Sequence, residues 1–188
     1  MLQRLLKNVF GEDGASAAPP AEAGLVLSTP VPLRGPLELR APGIPSTAEV
    51  FRRLLEGART SIKIFSPYVD PTFTSLAESA RAPIQIVTTL REARMRSSPV
   101  LERLATTRPL AVRYLHEKHA KSQMFQLHAK MILVDSSVAY VGSANFTDTS
   151  LHYNLELGVT IEDPSCLARL HSVFDYVFGF AARPASQL

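Results

Sequence analysis

Residues 127–145 read LHAKMILVDSSVAYVGSAN, two apolar runs of strand length parted by the pair Ser136-Ser137. Runs of this kind bounded by turn residues predict adjacent strands joined by a tight turn. NLELGVTIE, residues 154–162, reads as a further strand. Upstream, SIKIFS, PIQIVTT and LAVRYL have the alternation or apolar continuity of strands. Between them lie segments with helical character: a capping box from Ser46 to Glu49 that opens a helix to about Ala58, then SLAESA and VLERLATT. Strands separated by helices predict an α/β fold with a mixed, largely parallel β-sheet flanked by helices on both faces. CLARLHSVFDYVF closes the chain as a helix, with Leu167, Leu170, Val173, Phe174 and Val177 on its buried face.

The first 45 residues differ in kind. Seven of the 14 prolines fall there, and GASAAPPAEAG has little charge and no sustained period. The chain therefore divides into residues 1–45, an N-terminal helix and Pro/Ala-rich linker or docking segment, and residues 46–188, the compact domain. Leu2, Leu5, Leu6, Val9 and Phe10 share one face of the short N-terminal helix, which suits docking on the domain or on a protein partner ahead of contact with a membrane. LVLS and LELR have the look of short strands, confined by the intervening prolines to edges.

Composition narrows the class. With 46% hydrophobic and 20% charged residues the chain is an ordinary globular one. No apolar run approaches the roughly 20 residues that cross a bilayer. Arg4 and Lys7 interrupt what would otherwise resemble a secretory leader, and a cytoplasmic address is expected. Cys166 is the only cysteine, so no intrachain disulfide forms. A net charge of +3 is compatible with an anionic partner and does not demand one.

The residues that carry chemistry are His128, Lys130, Asp135, Gly142, Ser143 and Asn145, spaced H-x-K-x4-D-x6-G-S-x-N. Six specified positions at about one in twenty each make a chance match at a given start on the order of one in 10⁷ to 10⁸, so the pattern is meaningful. It resembles the HKD signature of the phospholipase D superfamily. The resemblance is specific from Leu127 to Val159, architectural from Ser46 to Leu115 and absent in the first 45 residues. It implies an α-β-α sandwich with one HKD motif per chain. Glu156 in SLHYNLELGV stands at the offset where similar single-motif nucleases carry a glutamate.

The residue types make sense physically. On an alternating strand His128 and Lys130 project to one face, so an imidazole and an ammonium can meet the same phosphate. Lys130 neutralises phosphate charge, while Ser143 and Asn145 donate hydrogen bonds to the nonbridging oxygens. Gly142 lets the backbone turn close to the ligand. Neutral His128 attacks phosphorus to give a phosphohistidine that water later opens. Glu156 is suited to hold the other ring nitrogen. For Asp135 the resemblance implies a structural or histidine-supporting part. No metal or other cofactor is called for.

One histidine cannot readily be both nucleophile and acid in one displacement, because the leaving oxygen departs on the far side of phosphorus. A second H-x-K, His119 with Lys121, has neither the apolar strand nor the GSxN that should follow. The chain thus supplies half a site, and a homodimer would complete it. Lys118 and Lys121, with His116, Arg113 and His119, form a polar loop before the motif. Arg91 and Arg94, with Arg96, follow a strand, where ligand sites of open α/β sheets gather. Both basic loops are candidate contacts to a nucleic-acid backbone. A nuclease is the favoured reading, with DNA ahead of RNA. A phospholipase or phosphatidyltransferase and a non-catalytic nucleic-acid-binding module are the alternatives.

Overall fold

The computed structural model describes residues 24–89, 98–118 and 124–181. Its centre is a seven-stranded sheet in the order β1-β9-β8-β7-β2-β3-β4. The strands are β1 (Gly24–Ser28), β2 (Ile62–Phe65), β3 (Ile84–Thr88), β4 (Leu110–Tyr114), β7 (Met131–Val134), β8 (Val138–Gly142) and β9 (Glu156–Ile161). A separate antiparallel ribbon, β5 (His116–Lys118) and β6 (Met124–Gln126), stands where the sequence predicted a loop.

The sheet is mixed, as expected, but its balance is not largely parallel. Only β2, β3 and β4 run parallel to one another, joined through helices α3 (Pro71–Glu78) and α4 (Pro99–Thr107). The chain then enters the other side of β2 as β7, antiparallel, and every pairing from there to the β1 edge is antiparallel. Helical crossovers keep strand direction, whereas the Asp135–Ser137 turn reverses it.

Alternation along the central strands feeds two apolar layers. Ile62, Ile64, Ile84, Ile86, Ile132 and Tyr140 face α2 (Thr47–Gly57), α3 and α4. Phe65, Val87, Met131 and Leu133 face α5 (Pro164–Phe180). Helices thus cover both faces. Phe146 links the first layer by meeting Phe51 at 4.6 Å and Phe73 at 4.9 Å between ring centroids. Ser46 caps α2 by accepting from the Glu49 amide at 3.2 Å, the serine half of the expected box. Arg108 donates to the Ala77, Ala80 and Ala82 carbonyls, which ties the end of α3 to the start of β4.

Two local readings change. LVLS is indeed an edge strand, β1, but Val26 is fully buried and the sheet therefore begins at Gly24, ahead of the expected boundary at Ser46. LELR is the end of a helix, α1 (Val31–Arg40), because Pro32 sits in the first turn where its missing N–H costs nothing. In α5, Val173 is 53% exposed rather than buried. Among the described residues no helix is long and apolar enough to cross a membrane.

Candidate active site

The parallel strands β2, β3 and β4 end on one edge of the sheet, and β7 begins there, since Phe65 pairs with Met131. His128, Ala129 and Lys130 lead into β7 as extended chain just outside the strand. They are fastened to the end of β8 by the Gly142 amide, which donates to the Lys130 carbonyl at 3.2 Å. His128 is exposed, whereas Lys130 is only 8% exposed. The Lys130 ammonium lies 3.1 Å from His128 Nδ1, 3.3 Å from Nε2 and 2.8 Å from the His128 carbonyl oxygen. The two side chains therefore converge on one point. Burial lowers the Lys130 pKa below the ordinary lysine value, against the pull of the Glu156 carboxylate, which raises it.

Ser143 follows β8 and is held by β9. Its hydroxyl donates to Glu156 Oε2 at 2.5 Å and accepts from the Leu157 amide at 3.1 Å, and its amide donates to the Leu157 carbonyl at 3.0 Å. Glu156, 8% exposed, also accepts from Asn154 Nδ2 at 3.1 Å. Among the described residues its hydrogen bonds do not include His128. The expected carboxylate–imidazole contact is thus replaced by a carboxylate–serine contact. Asn154 was not anticipated, although its position two residues before Glu156 is the signal that would have found it.

Asn145 has its Oδ1 buried without a hydrogen-bond partner among the described residues. The turn carrying it is pinned to the loop after β2. The Phe146 amide donates to Ser66 Oγ at 3.2 Å, the Asp70 amide donates to the Phe146 carbonyl at 3.1 Å, and the Asp148 amide donates to Asp70 Oδ2 at 2.8 Å. Asp70 also caps α3 through the Thr72 amide. The Asp70-Pro71 pair, a helix-start signature, could have flagged it.

Asp135, counted among the candidate catalytic residues, stands at the opposite end of β7. It adopts φ 53° and accepts from the amides of Arg59, Thr60 and Ser61 and from the Thr60 hydroxyl. Burial alone would raise its carboxyl, but the hydrogen bonds from Ser61, Thr60 and Arg59 outweigh it and hold the pKa at about 2. Its role is to clamp the turn onto the start of β2. Gly142 also differs from expectation. It is not at positive φ, and a Cβ there would meet Tyr140 beneath it, so it answers a packing demand inside the protein.

A cleft of about 430 Å³ opens at this edge, lined by His128, Lys130 and Ser143 and by the apolar Phe65, Leu170 and Val173. Arg91, Arg94, His119 and Lys121 lie outside the described residues. Lys118 is on β5, which follows β4 from the same edge. The arrangement can place an imidazole, an ammonium and a hydroxyl around one tetrahedral anion.

Comparison with known proteins fits this geometry. Residues 51–178 match the family described as "Cardiolipin synthase, PLD-like domain". The human protein named "5'-3' exonuclease PLD3" is 32% identical over 172 residues, which cover 83% of this chain and 35% of that protein. The chain thus spans about a third of the length of the curated relatives it matches. Among solved structures, NucT from Helicobacter pylori superposes with TM-score 0.65 at 16% identity, covering 86% of this chain and 99% of that one. Nuc from Salmonella typhimurium, a phospholipase D family member, superposes with TM-score 0.58 at 16% identity, covering 86% and 98%.

Proposed function

The chain belongs to the family of PLD-like domains, and on that premise we propose that it is a phosphodiesterase, and specifically a nuclease. The observation that carries this reading is the Lys130 ammonium within 3.3 Å of both His128 ring nitrogens. An ammonium so placed stands beside the imidazole that attacks. It can then turn to the phosphate oxygens as negative charge builds there.

In the first step a ring nitrogen of His128 forms a bond to phosphorus and the bond to the leaving oxygen breaks. That oxygen takes a proton from His128 of a second copy. In the second step the same partner imidazole removes a proton from water, whose oxygen attacks phosphorus as the P–N bond breaks, and His128 returns to its starting form. Lys130 supplies the charge and histidine the nucleophile, so the scheme needs no metal. Val173, which lines the cleft and is 53% exposed, and Leu157, 56% exposed, support a homodimer that would cover them. DNA is proposed ahead of RNA, and a cytoplasmic address is proposed from the interruption of the leader-like run by Arg4 and Lys7. The exposed Val31 and Leu39 of α1 favour a protein partner docking through residues 1–45.

Cleavage of end-labelled single- and double-stranded DNA and RNA in excess chelator, comparing the wild type with His128→Ala, tests this reading. Chelator-resistant cleavage lost in the variant is expected. Equal cleavage by both proteins would overturn it. The apolar lining by Phe65, Leu170 and Val173 favours a second reading, a lipid phosphodiester, which the same assay on phospholipid vesicles addresses.

A further inference from the structure

A second cavity, of about 360 Å³, opens between β1, α1, the start of α2 and the π-helical turn Thr149–Tyr153. Ser28, which lines it, is the register partner of Glu156, and Glu156 in turn accepts from Ser143. The cavity therefore begins one strand spacing, about 4.8 Å, beyond the residue that holds the candidate active-site serine. Its walls are fastened to one another. The Leu27 amide donates to the Pro45 carbonyl at 3.1 Å, which ties β1 to the entry of α2, and the Asn154 amide closes the π-helical turn on the Thr149 carbonyl at 2.9 Å. Turns of that width occur mostly at functional sites.

Val26 packs in the apolar layer beneath α2, so Ser28, two residues on, points to the same face, where Ser46 and Ala48 of α2 line the cavity. Ser28 is 1% exposed, and its Oγ has no hydrogen-bond partner among the described residues. Alanine would fill the place without that cost. Buried hydroxyls left unpaired are few in folded proteins, and this one faces a space large enough to bring it a partner. Ser46 spends its side chain on the Glu49 amide, which leaves the Thr47 and Ala48 amides at the positive end of α2 without intrahelical acceptors. Arg34 and Glu38, one turn apart and exposed on α1, both line the cavity, and neither has an ion-pair partner among the described residues. His152, half exposed, adds an imidazole, and Leu37, Ile44 and Leu151 supply the apolar part.

We propose that this cavity binds one nucleotide unit. The base lies against Leu37, Ile44, Leu151 and the His152 ring, Glu38 accepts from an amino-bearing base edge, and the phosphate meets Arg34, Ser28 Oγ and the start of α2. Arg is suited to a phosphate by its planar fork, a carboxylate accepts from the amino group of cytosine, and imidazoles stack on bases. An inorganic anion would set its charge against Glu38 and leave the apolar part empty, while an acyl chain would leave the guanidinium, the carboxylate and the orphaned hydroxyl unpaired. The unit is either the next nucleotide of the strand being cut or a free mononucleotide. The cavity does not depend on the nuclease reading; its use by the strand does.

The test maps amide chemical shifts of the isotope-labelled full chain on addition of deoxycytidine monophosphate, deoxythymidine monophosphate or inorganic phosphate. Deoxycytidine monophosphate is expected to move Ser28, Ala48 and Leu151 with a Kd below about 1 mM, and to bind about tenfold more tightly than either other probe. Arg34→Ala should weaken it by about tenfold or more, and Glu38→Ala should erase its advantage over the thymidine nucleotide. Both side chains are exposed and alanine favours a helix, so an unchanged Tm is expected for each. Shifts confined to Ala129, Ser143 and their neighbours overturn the proposal. So does equal binding of the two nucleotides, or undiminished binding by Arg34→Ala. A short oligodeoxycytidylate added to His128→Ala separates the two sources: displacement of the mononucleotide from Ser28 assigns the cavity to the strand, and its retention assigns the cavity to a free nucleotide. Cleavage of that oligonucleotide by His128→Ala would defeat the catalytic reading alone, because the mononucleotide shifts still decide the cavity.

Discussion

The Lys130 ammonium folds back to stand 2.8 Å from the carbonyl oxygen of His128 and 3.1 Å from its Nδ1. The pair is local in sequence, yet its consequence is long-range, because Lys130 is 8% exposed and His128 is open to the cleft. The cation is held by the protein while the nucleophile faces substrate.

Burial lowers the Lys130 pKa, so its ammonium is lost at lower pH than that of a solvent lysine. Activity that needs the charge should fall along an alkaline limb below the ordinary lysine range. Lys130→Arg should move that limb upward while lowering kcat by about 10²-fold or more, since a planar guanidinium cannot reproduce a point donor between the ring and the carbonyl. A pH profile of kcat/KM for both proteins checks this. An alkaline limb at the same pH in both would show that another group controls it.

Glu156 holds Ser143 rather than His128, and a double-mutant cycle separates the two roles. If the carboxylate acts by orienting the hydroxyl, Ser143→Ala and Glu156→Gln each cost about tenfold to 10²-fold in kcat, and the double variant costs no more than the worse single one. Additive losses would mean that Glu156 works on the reacting groups by a separate route.

Asp135 contributes to stability rather than chemistry. Its folded pKa of about 2 lies below the unfolded value. Its stabilisation is thus fully present above about pH 4 and lost as the pH falls toward 2. Allowing for solvent screening at a partly exposed turn, Asp135→Asn should cost about 1–2 kcal/mol at neutral pH, retain the positive φ and flatten the acid limb of stability. Urea titrations from pH 2 to 7, with kcat measured on the folded variant, provide the check. A loss of kcat at unchanged stability would return Asp135 to the catalytic set.

Leu157 and Val173 are exposed apolar side chains, and Val173 lines the cleft. Leu157→Arg or Val173→Glu should shift a homodimer to monomer in analytical ultracentrifugation and remove turnover with it, because each copy then lacks the second histidine. Monomers that retain full kcat would end the shared-site scheme.

The sequence by itself determined what local periodicity encodes. The i, i+2 spacing of His128 and Lys130, the alternation of β2, β3 and β4, the serine cap of α2 and much of the apolar face of α5 all depend on neighbours within a turn or two. The pattern from His128 to Asn145 could therefore be read before any fold was known. Only the tertiary structure decided which strands run antiparallel, that Asp135 clamps Arg59, Thr60 and Ser61 some 74 to 76 positions away, that Glu156 belongs to Ser143, and that Gly142 is small because Tyr140 lies beneath it. Each of these depends on partners brought together by strand order and packing. A one-dimensional pattern records which groups are present, whereas the partner a buried polar group takes is set by whatever the sheet places within about 3 Å of it.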